Sequence, residues 1–119
     1  MTDKEVKRTS EVKVRVGLNK EDMPVEMHWM SEEGEKANQW NPVKALMFSL
    51  FDKETRDTLR IDLWTTEFQV VEMDRFMYQT LRSMADTYFR ATQNKELANE
   101  MQRFVQYFGE KTEVIPKMS

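Results

Sequence analysis

Apolar and polar residues alternate from the start of the chain. In residues 9–18, Val12, Val14, Val16 and Leu18 fall on one side and Glu11, Lys13 and Arg15 on the other. A period of two with β-branched residues predicts a half-buried strand. Gly17 and the stretch from Asn19 to Pro24 supply a turn. Alternation resumes over residues 25–30, with Val25, Met27 and Trp29 facing in and Glu26, His28 and Met30 facing out, so the two runs form a hairpin. The clearest strand is residues 58–65, where Leu59, Ile61 and Leu63 point in and Arg60, Asp62 and Trp64 point out. The period then lengthens. Met73, Phe76, Met77, Leu81, Met84, Ala85 and Tyr88 make a helical stripe that predicts a helix over 70–92. Asn94 can cap a second helix, over 95–111, with the stripe Leu97, Ala98, Met101, Phe104, Val105 and Phe108; Gly109 lies near its end and Pro116 closes the ordered chain.

One stretch meets two patterns. After a polar loop from Ser31 to Gln39, Asn41 is a good N-cap and Pro42 suits the first helical position. Val43, Leu46, Met47, Leu50 and Phe51 follow at helical spacing. The same run is apolar enough for a buried strand, with Asp52 to Asp57 as a hairpin loop. Cap, proline and period together favour the helix. The reading is therefore an α+β fold in the order β-β-α-β-α-α, or with 43–51 as a strand. Helices pack on one face of a small, mainly antiparallel sheet. One domain spans residues 1–119, with 1–8 and 116–119 frayed. The inward residues Val12, Val14, Val16, Val25, Met27, Trp29, Leu59, Ile61 and Leu63 are expected to be buried, and Phe104 with them. Glu11, Lys13, Arg15, Glu26, Arg60 and Asp62 are expected on a wet face.

Composition narrows the function classes. The chain has 119 residues, the size of one ordinary domain. It carries 18 basic and 21 acidic residues, and its first 60 residues hold 11 and 12 of them, so no basic arm is set up for nucleic acid. There is no cysteine, which excludes disulfides and thiolate chemistry and suits a reducing compartment. The N-terminus is charged where a signal peptide needs apolar residues. The longest uncharged apolar run, Ala45 to Phe51, is seven residues, well short of the roughly 20 that cross a bilayer. A cytoplasmic protein without membrane insertion is expected.

Candidate chemistry is sparse. The single histidine, His28, lies on the polar strand face, and any Ser-His-Asp grouping or histidine metal site would have to use it. Glycines 17, 34 and 109 are too scattered to cradle a phosphate. Asp74 and Asp86 sit beside arginines on helices, the setting of a solvated ion pair. Of ten methionines, eight lie within the predicted elements or their flanks, mostly on apolar stripes, as core filler or as a soft surface for varied segments. Arg60, Asp62 and Trp64 share the outward side of one strand, and exposed tryptophan and arginine are favoured interface anchors. They are the candidate partner-binding residues, with no catalytic, metal or cofactor-binding residues assigned.

The residues from Thr58 to Thr65, the run Val71 to Phe76 and the run Gln79 to Thr92 together resemble the gliding-motility GldC family, and the likeness extends from about Ser10 to Ile115. The Leu-Arg-Ile-Asp-Leu-Trp and Met-Ala-Asp-Thr blocks are its most specific parts. The chain departs from the family pattern at Gln69, where the family has a proline just before the long helix. The resemblance implies a non-enzymatic soluble accessory protein of gliding bacteria, without cofactor. Its partner would be a protein, a gliding-motility lipoprotein or another motility component. The alternative function is a chaperone-like binder of unfolded or exported segments, for which the methionines and acidic charge argue.

Overall fold

In a computed structural model, residues 3–117 are described. The elements are β1 (Val12–Leu18), β2 (Pro24–Ser31), β3 (Asn41–Val43), β4 (Ala45–Phe51), β5 (Thr58–Trp64), α1 (Val70–Thr92) and α2 (Lys95–Lys111). They fall into two compact units, one ending at Phe68 and one beginning at Gln69. Each unit has its own physical logic. The frayed ends expected from sequence reach residues 1, 2, 118 and 119, which lie outside the described residues.

The first unit holds two antiparallel sheets, β1-β2-β3 and β4-β5. Val14 pairs with Trp29 and Val16 with Met27, which sets the predicted inward residues on a common face. The register breaks at Gly17/Leu18, and Asn19 then organises the turn: its Oδ1 accepts the N–H of Glu21 at 2.9 Å and of Met23 at 3.1 Å. Ahead of β1, Arg8 and Ser10 both donate to the Glu33 carboxylate, which ties the N-terminal stretch to the loop after β2.

The helix favoured for 41–52 is not formed. β3 pairs with β2, and β4 pairs with β5 along its whole length. Asn41 caps nothing: it is buried, and its Nδ2 donates to the carbonyls of Trp29 at 3.4 Å and Gln39 at 3.0 Å. Pro42 sits in a three-residue strand at the sheet edge, where a missing N–H costs little. Leu46, Phe48 and Leu50 also recur at a period of two, so the run satisfied both templates. The hydrogen bonds offered by β5 decided between them.

In the second unit, both helices have the predicted limits. Gln69 is extended, and its N–H donates to Glu72 Oε1 at 3.0 Å in a reciprocal cap that begins α1. Gln93 adopts a left-handed φ of 59° and ends α1. Asn94 Oδ1 accepts the Leu97 N–H at 3.1 Å and begins α2, as the cap pattern predicts. Ala85, Ala98, Val105 and Gly109 are buried, and small side chains let the two helices approach closely. A Cβ on Gly109 would come within 2.6 Å of Tyr78 Cε1 and 2.8 Å of Ile115 Cγ1, which accounts for glycine there.

Burial is shallower than the pattern predicts. The expected exposed positions are exposed, Arg60 and Asp62 included. Among the expected inward positions Met27 is buried, while Val14, Val16, Trp29 and Leu63 are half-buried. Val12, Val25, Leu59 and Ile61 are exposed, and so is Phe104 at 52%. Alternation identifies which side of a strand is apolar; it does not say how completely that side is covered. At half exposure, Phe104→Ala no longer carries the roughly 3 to 5 kcal/mol of a fully buried phenylalanine.

Candidate docking face on the β4–β5 ribbon

The β4–β5 pairing sorts side chains into two unlike faces. Leu46 pairs with Leu63, Phe48 with Ile61 and Leu50 with Leu59, so one face is wholly apolar. The opposite face holds Ala45 with Trp64, Met47 with Asp62, Ser49 with Arg60, and Phe51 with Thr58. All three candidate residues from sequence share this second face. Arg60 makes a two-pronged contact with Asp62: Nη2 to Oδ1 at 2.7 Å and Nε to Oδ2 at 3.3 Å. Its Nη1 donates to Ser49 Oγ on β4. The pair is substantially exposed, at 43% and 38% for the two side chains, so solvent screens it and it adds little to stability. Its effect is to hold the guanidinium beside the Asp62 carboxylate, across from Ser49.

Trp64 stands at the end of the same face, 53% exposed. Beside it lies a hollow of about 260 Å³ lined by Met23, Pro24, Asp62, Leu63, Thr65 and Thr66. Met23 is exposed and comes from the turn between β1 and β2. Sequence reasoning missed this hollow and the Ser49 contact, because the first needs the turn at Met23 in place and the second needs β4. The alternation of Leu46, Phe48 and Leu50 before an Asp52–Asp57 turn was the signal for the Ser49 contact.

The turn that closes the ribbon is set by Asp52. Its N–H donates to the Asp57 carbonyl, and its Oδ1 accepts the N–H of Thr55 at 2.8 Å and of Glu54 at 2.9 Å. These bonds, that from Thr55 foremost, hold the Asp52 carboxyl below its ordinary range. Arg56 completes the turn with a left-handed φ of 60°.

Other chemistry is dispersed. His28 is half-buried and pairs across the strands with Arg15 and Pro42. Arg15 itself lies 4.2 Å from the Trp40 ring centre. Asp86 pairs with Arg90 at 3.3 Å on the helix surface. No three of the described His, Asp or Glu side chains converge as a metal site, and no described helix is long and apolar enough to cross a membrane. On the helical hairpin, Phe76, Met84, Tyr88 and Met101 line an apolar groove of about 690 Å³.

The fold is thus that of a small α+β protein built from a five-stranded unit and a helical hairpin. The model of the GldC-like family, described as gliding motility-associated protein GldC-like, matches residues 24–114, and the chain belongs to this family. Comparison with curated proteins and with solved structures gave no match.

The Asp52 carboxyl gives a pH signature for the ribbon. Its depressed native pKa means its contribution is present above the unfolded value, about 3.9, and is lost as pH falls through the native value. In Asp52→Asn the side-chain oxygen still accepts both N–H groups but does not titrate. Thermal melts taken from about pH 5 down to about pH 2 should show the parent chain losing more stability than the variant. Glu33, also depressed by Arg8 and Ser10, is common to both and cancels in the difference. Parallel curves would mean that Asp52 does not hold the turn.

Proposed function

We propose that the chain is a non-enzymatic accessory protein that supports bacterial gliding by holding a protein partner, with Arg60, Asp62 and Trp64 as its contact residues. Membership of the GldC-like family supports the motility setting. The observation that carries the contact is the face itself: an exposed tryptophan next to a preformed, exposed Arg–Asp pair on one ordered strand. Such a face offers an aromatic anchor and a planar hydrogen-bonding fork without a large ordering cost. A motility lipoprotein or another motility component is the class of partner this reading assigns. The cytoplasm is the compartment it assumes, in keeping with a chain that has no cysteine.

A second reading is favoured by the helical groove. Phe76, Met84, Tyr88 and Met101 offer a soft apolar channel of the kind that accepts varied unfolded segments. Under that reading an unfolded client polypeptide binds the purified protein, and Met84→Lys abolishes the binding. No client binding by the parent chain would remove it.

Trp64→Ala, alone or with Arg60→Ala, should leave the melt unchanged and weaken colony spreading in a strain that depends on this protein. Truncation of a central interface tryptophan costs about 2 kcal/mol or more, roughly thirtyfold in affinity. Arg60 lies about 13 Å from Trp64 along the strand, within one standard-sized patch. Normal spreading with an unchanged melt would take Trp64 out of the functional surface. A collapsed melt would make its role structural.

A further inference from the structure

The middle of β5 reads alike in both directions. Leu59-Arg60-Ile61-Asp62-Leu63 is symmetric in character about Ile61, with opposite charges at the mirrored positions. A strand laid antiparallel against a copy of itself about Ile61 would set Arg60 opposite Asp62, Leu59 opposite Leu63, and Ile61 opposite Ile61.

The backbone of β5 is aimed to allow this. Thr65 donates its N–H to the Lys44 carbonyl at 2.8 Å, and Asp52 to Asp57 at 2.9 Å. Hydrogen-bonded pairs alternate in an antiparallel ladder, so the unbroken register between these points makes Leu59, Ile61 and Leu63 the residues bonded to β4. The N–H and C=O groups of Arg60 and Asp62 then point to the outer edge. Among the described residues no strand pairs with the outer edge at Arg60 and Asp62.

We propose that this edge pairs with the same edge of a second copy of the chain, β5 antiparallel to β5 across a two-fold axis through Ile61. Each Arg60 exchanges both backbone bonds with the other copy's Asp62, and their side chains stand directly opposite, with Cα atoms about 5.5 Å apart. The arrangement is isologous, since residue 60 meets 62 and 62 meets 60. Charge also fixes the register. Sliding by two residues one way opposes Arg60 to Arg60, and the other way opposes Asp62 to Asp62. Sliding by one turns the apolar face outward on one copy. Edge strands ordinarily carry charges that repel a second edge. Here the two charges on the edge are self-complementary in one register alone. Side chains of Arg60 and Asp62 stay on the sheet face after pairing, and the proposal does not rest on the motility reading.

The test is the mass of the full chain in solution by sedimentation equilibrium. The parent chain is expected to dimerise reversibly. Arg60→Asp sets Asp against Asp twice in the dimer, and Asp62→Arg sets Arg against Arg twice, so each alone should weaken the dimer about tenfold or more. An equimolar mixture of the two variants restores both Arg–Asp pairs across the axis and should form a one-to-one heterodimer of parental affinity. Should either reversal fail to fold, Ile61→Cys decides. The pair on the axis is not hydrogen-bonded, so its Cα atoms lie about 4.5 Å apart, within disulfide range. The chain has no other cysteine, so mild oxidation should yield a covalent dimer, whereas Leu50→Cys on β4 should yield none. A parent chain that stays monomeric, a dimer indifferent to both reversals, or equal cross-linking at both cysteine positions would overturn the proposal.

Discussion

The candidate contact face of the first unit depends on one interaction, the antiparallel pairing of β4 with β5. A two-stranded ribbon is marginal by itself, and this one is held at both ends. At the tip, Asp52 gathers the Thr55 and Glu54 N–H groups and bonds to Asp57. At the base, Thr65 bonds to Lys44 and Thr66 to Pro24, which joins the ribbon to the start of β2. With both ends set, the register is fixed, and the register puts six apolar residues on one face and Arg60, Asp62 and Trp64 on the other. The same register aims the free backbone groups of β5 outward at Arg60 and Asp62.

The helical hairpin obeys a different constraint. Its seam is made of Ala85, Ala98, Val105 and Gly109, residues that contribute little area each but admit close approach. Bulkier residues, Met84, Leu97 and Phe104, remain about half exposed. This leaves the hairpin with apolar surface beyond what its own seam uses, part of it in the groove at Phe76, Met84, Tyr88 and Met101. The chain thus carries apolar surface in both units, and the charged β5 face is the more sharply patterned of its exposed features.

Local signals in the sequence were strong where cap, period and propensity agreed. Both helices have the limits that their stripes and Asn94 predict, and the β1–β2 hairpin and β5 follow their alternation. The 41–52 stretch misled because Asn41, Pro42 and the spacing of Val43, Leu46, Met47 and Leu50 mimic a helix start. The resolving partner, β5, lies beyond the turn at 52–57 in sequence, so local propensity could not include its hydrogen bonds. For the candidate face, the outward direction of Arg60, Asp62 and Trp64 was legible from parity alone. The Arg60–Ser49 contact and the Met23 hollow were not, since each joins β5 to a segment distant in sequence. The exposure of Leu59 and Ile61 was missed for a related reason: parity assigns a side, and only packing assigns cover.

Residue-resolved amide hydrogen exchange over Ala45–Phe51 tests the ribbon most directly. The ladder sends the N–H groups of Leu46, Phe48 and Leu50 to β5 and those of Met47, Ser49 and Phe51 outward, where no described strand meets them. The expected result is alternating protection, slow at 46, 48 and 50 and fast at 47, 49 and 51. Unbroken protection of consecutive amides from 47 to 51, as a helix would give, would contradict it.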